Sequence, residues 1–367
     1  MNFQQHPIRN LTTLLKRHDI NSRRNLARIT VFYLKLILQE PFRIMEKINY
    51  SNKIQKHELL KDPVFIIGHW RSGTSFLQYL LGKDPQFCYM NKFQVVFPDI
   101  FLNSEKLLKP LIKAVPKTFN FTRDARNMSI NLELDSPSEI EIALTTIMSP
   151  TSLHWGHIFP ENAREFFDKF LFFEDIDEEE VELWKSSYQH LIKKISLKND
   201  GQQVLIKSPG NTSRIEKLLE IYPNARFIFI HRNPYDVFYS SKKLWNTLLD
   251  NLALQDFTEA EIEQEIIYSY RKLMCHYLQQ RPEVPRGQLT EIRFEKFMAD
   301  PVNELRRVYA DLNLEDFNEA KPEIEQFLKN EASGEASSYD YEPEILKTIN
   351  KEWSFAFSEW NYPLQSG

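Results

Sequence analysis

Apolar residues along this chain follow two alternating rhythms. Short unbroken runs, PVFII (63–67), QVLI (203–206) and RFIFIH (226–231), are rich in β-branched and aromatic residues. Such runs suit strands covered on both faces, as in a parallel sheet. LTEIRF (289–294) is read as a further strand. Between the strands lie segments with helical spacing. The clearest, 178–198, puts Val181, Trp184, Tyr188, Leu191 and Ile195 on one face, with acids opening it and lysines closing it. That order agrees with the helix dipole, and Gly201 marks its end.

Turn and cap residues join these pieces. PVFII leads through a glycine loop into a helix over 75–81 that stops near Gly82 and Pro85. After QVLI, KSPGN is a loop and 212–221 a helix, and Pro223 and Asn224 turn the chain into RFIFIH. Asn233-Pro234 and Asp300-Pro301 cap two further helices, the second running to about Asn313. Strands and helices alternate at βαβ spacing. The expected fold class is therefore α/β, a P-loop-like parallel sheet flanked by helices. Residues 10–60 read as helices broken near Pro41. The expected division is a basic helical extension over 1–58 and a main domain over 59–367. Within the latter, about 86–175, an aperiodic stretch rich in Phe, Pro and Asn, is an insertion placed to wall the ligand crevice.

Composition narrows the class. With 42% hydrophobic and 13% aromatic residues the chain is globular rather than disordered, and a net charge of -5 gives no bias toward nucleic acid. Two cysteines, Cys88 and Cys275, make neither a disulfide framework nor a zinc cluster, and a reducing cytoplasm is the expected setting. The N-terminus is polar, without the apolar core of a secretory signal. The longest apolar run, Ile29–Leu38, is half a membrane span and contains Lys35. Residues 1–38 hold seven Lys and Arg against one acid, Asp19. That balance favours peripheral contact with an anionic membrane surface; the plainer reading is a helical extension packed on the main domain.

The glycine loop carries the chemistry. FIIGHWRSGTS (65–75) nearly fits the phosphate-loop pattern G-x-x-x-x-G-K-[ST], with Gly68, Gly73 and Ser75 in register. Thr74 stands where that pattern has its lysine. A strand, a glycine turn and a helix N-terminus still expose main-chain amides to an anion. Without the lysine, and without an aspartate ending a strand to hold a metal, triphosphate hydrolysis is disfavoured. A ligand lacking a γ-phosphate needs neither, and Arg71 offers a planar, permanent charge.

Gly68-His69-Trp70-Arg71-Ser72-Gly73-Thr74-Ser75, followed by Phe76, resembles the 5′-phosphosulfate loop of sulfotransferases that use 3′-phosphoadenylyl sulfate (PAPS). Their second element is an arginine at a strand end with a serine eight residues on, matched by Arg232 and Ser240. Residues 205–232, 134–144 and 292–301 resemble further segments of bacterial-type and carbohydrate-type members, so the likeness covers roughly 60–320. The resemblance implies PAPS as donor, PAP as product and no metal. Arg71, Ser72, Gly73, Thr74 and Ser75 would hold the 5′-phosphate, with Arg71 by the bridging oxygen, and Arg232 and Ser240 the 3′-phosphate.

The cytosolic branch has a lysine–threonine–histidine triplet whose histidine is the base. Here Lys207-Ser208-Pro209 lacks it, and Lys207 remains as a candidate for the sulfuryl oxygens or leaving group. Related families use a glutamate from the intervening segment, which points to Glu139 first and Glu141 second, against a plain role for both as first-turn helix acids. His154 and His157 are weaker pocket candidates. Relatives often carry histidine where Asn211 stands. The basic C-terminal motif of cytosolic members is not evident, with Lys347 or Lys351 as substitutes. Trp353, Phe355, Phe357 and Trp360 are expected to pack the tail on the sheet.

The expected activity is sulfuryl transfer from PAPS to the hydroxyl of a small-molecule acceptor, a sterol or lipid alcohol, with a sugar acceptor as alternative. A nucleotide or small-molecule kinase and a non-catalytic nucleotide-binding protein are the readings from other classes.

Overall fold

The computed structural model describes residues 6–20, 22–114, 134–330 and 339–366. The middle of the proposed insertion, 115–133, and the first five residues lie outside them. Strands β1 (Val64–Ile67), β2 (Phe87–Cys88), β3 (Gln203–Lys207), β4 (Arg226–His231) and β5 (Leu289–Arg293) form a parallel sheet in the order β2-β3-β1-β4-β5. Four of the five coincide with the strands read from the sequence, three of them apolar runs. β2 escaped notice because two residues carry no period.

The pleat divides the core. Phe65, Ile67, Val204, Ile206, Phe227 and Phe229 join one buried cluster, while Val64, Ile66, Leu205, Ile228 and Ile230 join another. Successive side chains point to opposite faces of the sheet, so a strand covered on both must be apolar at every position. The first face is covered by helices Glu178–Lys198, Pro234–Leu252 and Glu259–Gln280 through residues such as Trp184, Tyr188 and Leu273. Helices Thr74–Leu81, Pro301–Asp311 and Phe317–Asn330 cover the second through Leu77, Leu305 and Ile324.

Helix Glu178–Lys198 has the predicted bounds, but Val181 is only half-buried. Asn233 and Asp300 cap as expected, accepting from the amides of Tyr235 (3.0 Å) and Asn303 (3.2 Å). Two expectations fail. The helix after KSPGN starts at Ile215, because Pro209–Ser213 is a 3-10 turn whose Thr212 and Ser213 hydroxyls bond to Gly68 and Leu171. Side chains that engage the backbone elsewhere favour turns over helix. Nor does Pro41 break the N-terminal region, for one helix runs from Ser22 to Lys56. Pro41 and Ile37 both face solvent, so water can serve the Ile37 carbonyl that proline leaves without a donor.

Leu11, Leu14 and Leu36 of the N-terminal helices belong to the main core cluster, and Asn10 donates to the Met148 carbonyl at 3.0 Å. At the other end Trp353, Phe357 and Trp360 are buried and Phe355 partly so, as expected; the Trp353 ring stacks on Tyr270 at 3.9 Å.

β1 ends against Gly68, whose φ of +135° few side chains tolerate. A Cβ there would lie 2.2 Å from the Ile230 carbonyl oxygen of β4. Gly68→Ala is expected to lower the unfolding free energy by about 2–4 kcal/mol, measured by urea titration. An unchanged midpoint would mean that the two strand ends are free to part.

Candidate active site

The chain leaves β1 toward β2 on one side of the sheet and leaves β4 toward β5 on the other. β1 and β4 are neighbours, so the crevice of this open sheet lies beyond their C-terminal ends. The predicted loop follows β1, and Arg232 follows β4.

Arg71 (φ 71°) and Gly73 (φ 102°) adopt left-handed backbone and turn the loop sharply onto helix Thr74–Leu81. The first amides of a helix have no intrahelical acceptor and sit at its positive end. At Gly73 a Cβ would come within 2.4 Å of the Phe294 ring. The Gly68 amide donates to the Thr212 hydroxyl at 2.8 Å, which ties the loop to the segment after β3. Ser72 turns inward, its amide (3.2 Å) and hydroxyl (2.7 Å) both reaching the His69 carbonyl.

The two predicted elements meet. Arg71 Nε donates to Ser240 Oγ at 2.7 Å, and Arg232 Nη1 reaches the Arg71 carbonyl at 3.4 Å. The guanidinium of Arg71 is thus directed to Ser240. Arg232 lies 4.6 Å over the Phe294 ring and pairs with Asp236 at 3.2 Å, while its Nε is buried without a hydrogen-bond partner among the described residues. Thr212, Phe294 and Asp236 were not singled out from the sequence. All three lie inside or beside segments that carried the resemblance, which was the available signal.

A second cluster stands at the end of β3. Lys207 donates to Glu139 Oε2 at 2.7 Å, with both side chains buried. Glu139 precedes helix Ile140–Thr146, so the inserted segment reaches over the sheet here. Its Oε1 and the Nε2 of His154 lie 3.9 Å apart, both buried and without a hydrogen-bond partner among the described residues. His154 and His157 bond through their Nδ1 atoms at 3.3 Å.

Glu141 sits elsewhere, in a wholly buried pair with Arg214 at 2.9 Å that also receives the Leu153 amide. Burial pushes its pKa up, and Arg214 opposes the rise. Arg214 donates as well to the Phe170 carbonyl. Asn211 donates to the Tyr188 hydroxyl at 2.6 Å. Lys347 and Lys351 project into solvent. Among the described residues no group of His, Cys, Asp and Glu gathers as a metal site, and no helix is long and apolar enough to cross a membrane.

The parallel sheet thus carries an amide-rich turn and two converging arginines at one crevice. Comparison with known proteins supplies the class: the model of the Sulfotransferase family matches residues 63–319, and the chain belongs to that family. It is similar to the omega-hydroxy-beta-dihydromenaquinone-9 sulfotransferases Stf3 of Mycobacterium bovis and Mycobacterium tuberculosis, at 27% identity over 319 residues, or 87% of this chain and 80% of each relative. Among solved structures, sulfotransferase STF9 from Mycobacterium avium superposes with a TM-score of 0.70 at 17% identity, covering 89% of this chain and 83% of that one. Sulfotransferase STF1 from Mycobacterium tuberculosis H37Rv gives 0.67 at 12% identity, covering 96% and 94%. These likenesses fix the fold.

The protein is a PAPS-dependent sulfotransferase that acts on a hydroxyl acceptor, and the kinase and non-catalytic readings fall away. The match is to a bacterial sulfotransferase family, not specifically to a carbohydrate-type branch.

Buried histidines give the site a measurable signature. His69, which donates to the Trp70 carbonyl at 2.7 Å, is depressed by burial to about 4. His154 and His157 are depressed to about 3, by burial first, then by Lys207 and Arg214 for His154 and by His154 for His157. An unfolded chain protonates these rings near the ordinary value of 6.5. Between that value and the depressed ones the unfolded state binds more protons, so stability falls as pH is lowered. Each ring held neutral contributes a slope of about 1.4 kcal/mol per pH unit. Thermal melts should therefore fall from pH 6.5 toward 4, and a flat midpoint would mean that the folded rings titrate normally.

Proposed function

We propose that the enzyme transfers the sulfuryl group of PAPS to the hydroxyl of an apolar lipid alcohol, with Glu139 as general base. The observation that carries this reading is the Lys207–Glu139 pair. One carboxylate oxygen is fixed at 2.7 Å by the ammonium, and the other is buried with no hydrogen-bond partner among the described residues. A fixed carboxylate with one unengaged oxygen is placed to accept a proton.

The residues present suit a doubly phosphorylated nucleotide. Gly68 and Gly73 let the loop turn tightly against Ile230 and Phe294, and Arg232 keeps a buried N–H without a hydrogen-bond partner among the described residues. The amides that open helix Thr74–Leu81, with the Thr74 and Ser75 hydroxyls, would hold the 5′-phosphate. Arg232 and Ser240, with Arg71 bonded to Ser240, would hold the 3′-phosphate. When bound, the donor supplies a sulfuryl group on a phosphate leaving group, so an S–O bond to the acceptor forms as the S–O bond to phosphate breaks. Glu139 Oε1 takes the acceptor's hydroxyl proton, and Lys207 orients the carboxylate through Oε2. Lys207 brings positive charge to the side of the crevice in which negative charge grows on the departing group, while Arg71 is turned toward Ser240. Glu141, locked to Arg214, positions the segment that carries Glu139.

The lipid acceptor is supported by the relatives' substrate, an ω-hydroxylated dihydromenaquinone by name, and by Ile142, which is 39% exposed and lies three residues from Glu139.

Arg232→Ala and Ser240→Ala should each weaken PAP binding by roughly 1.5–3 kcal/mol, read by calorimetry without added metal. Unchanged affinity in both would remove the 3′-phosphate assignment. Transfer of labelled sulfate across a panel of isoprenoid alcohols, sterols and sugars tests the acceptor class, and sugars alone accepting label would overturn the lipid reading. On the best acceptor, Glu139→Gln should slow turnover by about 10²–10⁴ while PAP affinity stays intact. Normal turnover in that variant would move the base elsewhere.

A further inference from the structure

Helix Ser22–Lys56 buries Leu36 and Ile54, yet its outer face is apolar as well. Asn25, Gln39 and Glu46 face inward and are nearly buried. Outward stand Val31, Leu34, Leu38, Ile44, Met45 and Ile48, between 45% and 77% exposed. At 100° per residue they fall on one broad face of the helix. Helix Phe101–Lys113 packs beside it, the Leu102 amide donating to Glu46 Oε2 at 2.8 Å, and exposes Leu107 and Leu111 as well. Exposed apolar stretches of this extent mark interaction sites.

The margin of this face is basic. Residues 22–56 contain eight Lys and Arg against two Glu, although the whole chain carries -5. Both acids are engaged, Glu40 with Arg43 and Glu46 with buried Lys194. Of the cations Arg28 and Arg43 are engaged too, the first with the Ala253 and Asp250 carbonyls and the second also with Asp99. Lys47, Lys53 and Lys56 are exposed on this helix, and Lys106 and Lys113 on its neighbour.

We propose that this face rests on an anionic lipid surface, with the apolar residues entering the headgroup region and the lysines meeting lipid charge. The helix is not apolar enough to cross a bilayer, so the proposed contact runs along the surface. A second copy of the chain is a poorer occupant. A symmetric contact would set basic margins against each other, with no unengaged acid in the helix to match them. The footprint overlaps the one suggested by the charge of residues 1–38 only from Val31 to Leu38, since helix Pro7–Arg17 turns Leu11 and Leu14 inward. The occupant follows from the face itself; only its use, access to a membrane-dissolved alcohol, rests on the lipid-acceptor reading.

Flotation of the full chain with phosphatidylcholine vesicles, with and without phosphatidylglycerol, tests the proposal. Binding should require the anionic lipid and weaken with salt. The combined variant Leu34→Gln, Leu38→Gln, Ile48→Gln removes exposed side chains in favour of a good helix former, so its thermal midpoint should match the parent. Its vesicle binding should drop by about tenfold or more. Equal flotation of parent and variant overturns the proposal. So does a parent that ignores anionic vesicles, or one that dimerises in gel filtration through this face. Transfer to a short, water-soluble alcohol should be the same in both proteins. Vesicle binding without transfer to any alcohol would sink the lipid-alcohol reading while leaving the surface intact.

Discussion

The approach of the Gly68 backbone to the Ile230 carbonyl is the constraint on which the rest of the structure depends. It holds the ends of β1 and β4 close enough that the loop after one and the arginine after the other share a single crevice. Every later feature of the anion site uses that proximity. Arg71 reaches Ser240, Arg232 reaches the Arg71 carbonyl, and Phe294 fills the space against Gly73 and beneath Arg232. Thr212 fastens the same loop from the β3 side by bonding both the amide and the carbonyl of Gly68.

Two buried ion pairs near the end of β3 are built from similar parts and differ in what they leave unsatisfied. Glu141 and Arg214 are fully enclosed, and the carboxylate also receives a backbone amide. Such a pair costs desolvation and gives position in return. Glu139 and Lys207 lie at the edge of the crevice, and one carboxylate oxygen remains without a partner among the described residues. The first pair holds its segment in place, and the second is the one on which the proposed proton transfer rests.

The family was legible because its motifs are local. A glycine needed for backbone approach, an arginine at a strand end and a serine eight residues along a helix keep their spacing whatever surrounds them. The paired covering of the sheet was legible too, because strands buried on both faces must be apolar throughout. The edge strand Phe87–Cys88 was not, being too short for a pattern, and Pro41 misled because the cost of a missing amide depends on whether water reaches the orphaned carbonyl.

From the sequence alone came the sulfotransferase assignment, the parallel sheet and the shortlist of charged residues, all properties carried by neighbours along the chain. Tertiary structure decided which cation each of the two glutamates meets, which way Arg71 turns, and that helix Ser22–Lys56 leaves an apolar face in solvent. Those outcomes depend on groups far apart in sequence, such as Glu139 with Lys207 and Glu46 with Lys194, whose meeting no local spacing encodes.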